Sequence, residues 1–163
     1  MQLNSFLRTL LIFIVVLLNA GCDQFSKIVV RERIDYHKPI SLVEDNFILV
    51  KVENAGAFFG LGENLPPLAK NLGLSLLPIL AISMILLYTL FRPGLSKSLT
   101  FGLCCIVGGG IGNILDRIVH GSVTDFLFID LGGIFRTGIF NLADVSIVVG
   151  MLVLMMNFKK FGS

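Results

Sequence analysis

Apolar residues fall into four long runs, each long enough to cross a bilayer as a helix of about 20 residues. They extend from about Phe6 to Phe25, Leu72 to Phe91, Leu99 to Val119 and Ile139 to Phe158. Pro78 predicts a kink in the second. Between the first two runs the pattern changes. Val50-Lys51-Val52-Glu53 alternates apolar and charged residues after Phe47-Ile48-Leu49, which is the period of a half-buried strand. Pro66-Pro67 separates this segment from the second run. The pattern predicts an integral membrane protein, mainly α, with four transmembrane helices and a small sheet on one membrane face. The segment at about 120–138 holds Phe126-Leu127-Phe128-Ile129 and Leu131 to Phe135. It is too apolar for a solvated loop and is expected to touch the membrane or the sheet.

Composition supports this. Of 163 residues, 55% are hydrophobic and 15% charged, against roughly 25% charged in soluble domains, and mean hydropathy is +0.87. A chain of this length is expected to form a single domain embedded in the bilayer. The net charge of +2 and the scatter of basic residues argue against nucleic acid. The three cysteines, Cys22, Cys104 and Cys105, are too few and too badly spaced for a zinc site or a disulfide framework, and read as small packing residues.

Charge sets an expected orientation. Arg8 lies in the first run, Arg92 and Lys97 lie between the second and third, and Lys159 and Lys160 follow the fourth. The positive-inside rule assigns these places, and both termini, to the cytoplasm. The segments at about 26–71 and 120–138 are then outside. Residues 1–22 also look like a lipoprotein signal peptide ending at Asn19-Ala20-Gly21-Cys22. Asn19 stands where such a site has a Leu-like residue, and cleavage would remove the first span, so the membrane-span reading is preferred.

The polar residues of the runs gather at one depth. Asp23 and Lys27 fall at the outer end of the first, Asn113, Asp116 and Arg117 near the outer end of the third, and Asn141 and Asp144 near the outer start of the fourth. Asn54 and Asp125 belong to the outer segments. Ionisable groups in membrane spans are costly and usually functional. Asn113 and Asp116 share a helix face at i, i+3, as do Asn141 and Asp144. Antiparallel helices thus offer an amide and a carboxylate each, and Asp125 can fold over the same place. Two nearby carboxylates share a proton, so one activates water while the other donates. Asp116 has a structural reading, locking helices together by pairing with Arg117 or Lys27. Asp125 and Asp144 have no adjacent base in sequence. Gly108-Gly109-Gly110-Ile111-Gly112 lacks the ending of a phosphate loop and reads as close helix packing that also leaves room for a substrate helix. His37 and His120 stand alone, and no serine–histidine pairing is apparent.

Five segments together resemble a known family. Asp23-Gln24-Phe25-Ser26-Lys27 is similar to D-Q-x-x-K, and Asn54-Ala55-Gly56-Ala57-Phe58 to N-x-G-A. Gly109 to Arg117 is similar to G-x-x-G-N-x-x-D-R, Val123-Thr124-Asp125-Phe126 to V-x-D-F, and Phe140-Asn141-Leu142-Ala143-Asp144 to F-N-x-A-D. In order and spacing the chain resembles the lipoprotein signal peptidases (signal peptidase II). That resemblance implies an aspartyl endopeptidase without metal or cofactor. It implies removal of signal peptides from diacylglyceryl-modified prolipoproteins, just before the lipidated cysteine, at the outer face of the bacterial cytoplasmic membrane. Asp125 and Asp144 correspond to the catalytic pair. Asp23, Lys27, Asn54, Gly56, Asn113, Asp116, Arg117 and Asn141 correspond to residues that bind substrate or support the site. The resemblance also implies a β-cradle, an outer lid or helix, contact with membrane lipid, inhibition by globomycin-like cyclic peptides, and action as a monomer. Phe58, where a second Ala is usual, and Glu53 before Asn54 depart from the pattern and bear on the lid. A proton-coupled transporter using the same carboxylates is the alternative. The apolar inner halves of the third and fourth runs argue against it.

Overall fold

The computed structural model describes residues 5–36, 38–43, 46–56, 62, 65–132 and 135–157. The expectations for His37, Phe58, Lys159 and Lys160 lie outside these residues. Elements follow in the order α1 (Ser5–Arg33), β1 (Ile40–Val43), β2 (Phe47–Asn54), α2 (Pro67–Asn71), a π-helical turn (Leu72–Leu76), α3 (Leu77–Phe91), α4 (Lys97–His120), β3 (Val123–Ile129) and α5 (Leu142–Asn157).

Helix α1 is longer than its apolar run. Its 29 residues span about 44 Å at 1.5 Å per residue, beyond the roughly 30 Å of a hydrocarbon core. It continues unbroken through Cys22 and past the expected end at Phe25, which carries Asp23, Lys27 and Arg31 up one face. Pro78 occupies the first turn of α3, inside the helical stretch Leu68–Phe91, and the π-helical winding falls directly before it, where the proline lacks an N–H for the regular ladder. Helix α4 begins where the Ser96 side chain accepts from the amide of Leu99, and ends on Gly121 at φ 76°. Helix α5 starts at Leu142, three residues later than expected, and its described residues reach Asn157, about 24 Å along the axis. Three stretches, Ser5–Arg33, Leu68–Phe91 and Lys97–His120, are long and apolar enough to cross a membrane, and Leu142–Asn157 is a shorter apolar helix. Their outward faces are apolar, with Leu17, Leu77, Phe91 and Met156 among the exposed side chains, as contact with lipid requires.

Glycines set the helix spacing. A Cβ on Gly108 would meet the carbonyl of Val16 at 2.9 Å, and one on Gly109 or Gly112 would strike Ala143 or Asp23. These three positions are filled by α1 and α5. Gly110 faces α3, where a Cβ would strike the Ile82 side chain, and it also lines the cavity beside that helix.

The antiparallel sheet has the order β1-β2-β3. Phe126 to Ile129, expected to touch the sheet or membrane from a loop, is itself strand β3, buried at its first five positions. Phe126 and Leu127 pack with Val30 and Ile34 of the overlong α1, fixing the sheet to one end of the bundle. Lys51 strengthens this joint by donating to the carbonyl of Arg31 at 2.8 Å. At the opposite end, Arg8 donates to the carbonyls of Thr89, Leu90 and Arg92, closing the C-terminus of α3.

Candidate active site

Strand periodicity explains how Asp125 is held. Val52 pairs with Asp125 and Asn54 with Val123, so Asn54 and Asp125 are diagonal neighbours on one sheet face. Asn54 Nδ2 donates to Asp125 Oδ2 at 3.0 Å. A register shift in β2 between Leu49 and Val52 lies beside this pair, as bulges often do where a side chain must be aimed. On the other face Glu53 pairs with Thr124, and the Thr124 hydroxyl donates to Glu53 Oε1 at 2.9 Å.

After β3 the chain returns at Phe140, whose amide and carbonyl bond back to Leu127 at 2.9 and 2.8 Å. That return delivers Asn141 to Asp125 and starts α5. Asn141 and Asp144 form a reciprocal cap: Asn141 Oδ1 accepts from the amide of Asp144 at 3.0 Å, and Asp144 Oδ2 accepts from the amide of Asn141 at 3.1 Å. Asp23 takes the amide of Ala143 at 2.9 Å. The Asn141 side chain also donates to Asp125 Oδ1 at 2.6 Å and to Asn113 Oδ1 at 3.1 Å. Asn113 Nδ2 donates to Asp144 Oδ1 at 2.9 Å. Every oxygen of the two carboxylates therefore meets a neutral N–H donor, and neither carboxylate has a salt bridge among the described residues. Burial pushes the Asp125 carboxyl up to about 6, with the charge of Asp144 adding to the rise; hydrogen bonds from Asn54 and Asn141 and the charge of Lys27 oppose it.

Behind this pair lies a fully buried ionic cluster. Lys27 Nζ lies 2.7 Å from Asp23 and 3.1 Å from Asp116, and donates to Asn113 Oδ1 at 2.9 Å. The Lys27 contact fixes the Asn113 amide with its oxygen toward the cation and its nitrogen toward Asp144. Asp116 also pairs with Arg31 at 2.8 Å and accepts from the amide of Thr124 at 3.1 Å. Gln24 bridges Asp23, Asp116 and the carbonyl of Gly112.

Both carboxylates lie on the wall of a cavity of about 650 Å³ between α3, α4, α5 and the sheet. Leu74, Pro78, Ile82, Val145 and Val148 make it apolar, and Arg117 stands beside the acids. Arg117 departs from expectation. It does not pair with Asp116, since as the next residue on the helix it points to another face. It donates instead to the carbonyls of Asn113 at 3.3 Å and Gly56 at 3.2 Å. The Gly56 amide donates to Asn54 Oδ1 at 3.0 Å, so Gly56 ties the arginine to the sheet. All ten site positions named from sequence thus converge on one end of the bundle. Arg31, Gln24, Thr124 and Glu53 were missed as members of this network. The i, i+4, i+8 spacing of Asp23, Lys27 and Arg31 was the available signal for Arg31.

An apolar helical bundle with two such carboxylates on a cavity wall has the makings of an aspartic-type peptidase of membranes. Comparison with known proteins narrows that class. A family model described as signal peptidase (SPase) II matches residues 12–160, and the chain belongs to this family. A lipoprotein signal peptidase of Pelodictyon phaeoclathratiforme is 36% identical over 158 residues, covering 92% of this chain and 90% of the relative. One from Borrelia duttonii is 38% identical over 151 residues, covering 88% and 85%. A solved bacterial membrane enzyme shares the fold with a TM-score of 0.80 at 19% identity, covering 93% of this chain and 89% of that one.

Proposed function

We propose that this chain is a lipoprotein signal peptidase. It removes the signal peptide from diacylglyceryl-modified prolipoproteins, cutting before the lipidated cysteine, with water activated between Asp125 and Asp144. The observation that carries this reading is the pair of amide-held carboxylates on one wall of an apolar cavity. Its volume, about 650 Å³, is in the range of sites that enclose a ligand, and its walls suit acyl chains and an apolar signal helix.

The chemistry follows from one shared proton. Asp125, raised to about 6 by burial, is the member that carries it when the pair is singly protonated. Asp144, anchored by Asn113 and the Asn141 amide, takes a proton from water as the water oxygen bonds to the scissile carbonyl carbon. Asp125 donates its proton to the carbonyl oxygen; as the C–N bond breaks, Asp144 passes the proton it took from water to the amide nitrogen, and Asp125 recovers a proton from a hydroxyl of the tetrahedral intermediate, which restores the starting state. Lys27, Asp23 and Asp116 keep the amides aligned, and Arg117 and Gly56 hold the cavity rim. No metal or cofactor enters this scheme. Charge asymmetry supports an orientation with both termini in the cytoplasm and the sheet outside, in the bacterial cytoplasmic membrane. The same cavity would take globomycin-like cyclic peptides, and since all the named groups come from one chain, a monomer suffices.

The test is incubation of the purified protein with a diacylglyceryl-modified prolipoprotein and mass analysis of the products. The expected result is a single cut before the modified cysteine, and no cut in the substrate lacking diacylglycerol. Cleavage elsewhere, or equal cleavage of both forms, overturns the substrate assignment.

A further inference from the structure

A second cavity, of about 620 Å³, opens at the end of the bundle away from the sheet, between α1 and α4. Its origin is a wedge. The two helices touch where Gly108 meets Val16, and the lining begins directly beside this contact, at Val15 on α1 and at Cys104, one turn before Gly108, on α4. From there Leu11 and Phe101 wall the groove, and Arg8 and Lys97 stand at its mouth beside the link Pro93–Ser96. No acidic side chain lines it among the described residues. On α1 the lining runs from Ser5 to Val15, about 15 Å at 1.5 Å per residue, which is half the roughly 30 Å hydrocarbon core. The groove is therefore about as deep as one leaflet, greasy along its length and cationic at its rim. Arg8 is held at that rim by its bonds to the carbonyls of Thr89, Leu90 and Arg92.

We propose that this groove binds one anionic phospholipid, its acyl chain lying between α1 and α4 and its phosphate at Arg8 and Lys97. Basic pockets between membrane helices select acidic headgroups in this way. The lipid fills the wedge that glycine packing leaves open and ties α1, the α3–α4 link and α4 together. The assignment is independent of the peptidase reading.

The experiment uses the full chain in detergent with equal phosphatidylglycerol and phosphatidylcholine, the retained lipid being counted by native mass spectrometry. Phosphatidylglycerol is expected to be retained in preference. Lys97→Gln should reduce its retention about fivefold, the effect of one cation near an anionic headgroup. Leu11→Trp should abolish retention by filling the groove; Leu11 is 41% exposed, so the larger ring is accommodated without disturbing the core. Lys70→Gln, a charge change outside the groove lining, should change nothing. Thermal melting without added lipid checks that each variant is folded. Equal retention of the two lipids overturns the proposal, as does undiminished retention in the folded Leu11→Trp variant. Competition by soluble glycerol phosphate at the concentration of the lipid also overturns it, because the acyl chain would then contribute nothing.

Discussion

The side-chain amide of Asn141 donates to Asp125 across 2.6 Å, while its oxygen caps the amide of Asp144 at 3.0 Å. One residue thus starts α5 and bridges the two acids. The two duties separate by substitution. Asn141→Ser keeps a capping oxygen but is too short to reach Asp125, so stability should stay near wild type while turnover falls about 100-fold. Asn141→Ala should lose the same activity and a further 1 kcal/mol or so of stability. Melting in detergent and kcat/KM on the same samples check this; full activity in the serine variant removes Asn141 from the site.

Asp125→Asn and Asp144→Asn should each lower turnover by at least about 10²-fold, the lower end of what general acid–base groups contribute. Both variants preserve shape, and Asn at position 144 retains a capping oxygen. Near-wild-type turnover in either folded variant ends the dyad assignment.

Asp116 is fully buried against Lys27 and Arg31. Asp116→Ala leaves Lys27 with Asp23 as its one carboxylate partner and removes the carboxylate partner of Arg31, a loss on the order of 3–5 kcal/mol for a buried pair. Asp144 makes no salt bridge among the described residues, and Asp144→Ala loses chiefly its cap, about 1 kcal/mol. Asp116→Ala should therefore melt at the lower temperature. The reverse order would mean that the ionic cluster is not what joins the helices.

Arg31 donates through Nε to the Thr124 hydroxyl at 2.9 Å and pairs with Asp116 at 2.8 Å. Thr124 is the chain neighbour of Asp125, so Arg31 positions the acid through the strand. Arg31→Met should lower kcat about tenfold with little change in KM, and Arg31→Lys should restore part of it. An unchanged kcat would leave Arg31 as a surface tether only.

Much of the site was legible because helical spacing encodes it. The two N-x-x-D segments announced an amide and a carboxylate on one face, and Asp144 proved to be the third residue of a capping box built on Asn141. The pairing of Asp116 with Lys27, one of the two partners its sequence position offered, is present at 3.1 Å. What was hidden depended on where α1 stops. Placing its end at Phe25, where the apolar run ends, put Arg31 in a loop, yet packing of Val30 and Ile34 under the sheet keeps the helix going. Strand β3 was hidden for a related reason. Phe126 and Leu127, adjacent in sequence, are both buried in one cluster with Val30 and Ile34 of α1, so the alternation of a half-exposed strand is absent. Adjacent residues also misled: Arg117 follows Asp116 in sequence but cannot share its helix face.

Orientation is open to direct labelling. A cysteine introduced at Ser122 should react with an impermeant thiol reagent added to intact cells, and one at Ser96 should not, because the positive-inside rule assigns the link that carries Arg92 and Lys97 to the cytoplasmic side. Labelling at Ser96 from outside would reverse the bundle and move the cavity to the cytoplasmic face.

The pH dependence connects the buried acid to both rate and stability. Asp125 rises from 3.8 to about 6, chiefly because burial disfavours its anion. In the proposed mechanism cleavage needs the singly protonated pair, so the rate should be bell-shaped, and its alkaline arm should follow the upper macroscopic value of the dyad. Asn54 donates to the ionised form. Asn54→Ala removes about 0.5–1.5 kcal/mol of support for the anion, moving the alkaline arm upward by roughly half to one pH unit. An arm that stays in place or moves down assigns it to another group. Stability gives a readout that does not need turnover. With its native value above its unfolded one, Asp125 stabilises the fold in its protonated form. That contribution is complete below about 3.8 and declines as pH rises through about 6. Asp125→Asn should therefore flatten the melting temperature across this window. If wild type and variant fall in parallel from pH 4 to pH 7, the carboxyl that titrates there is not Asp125.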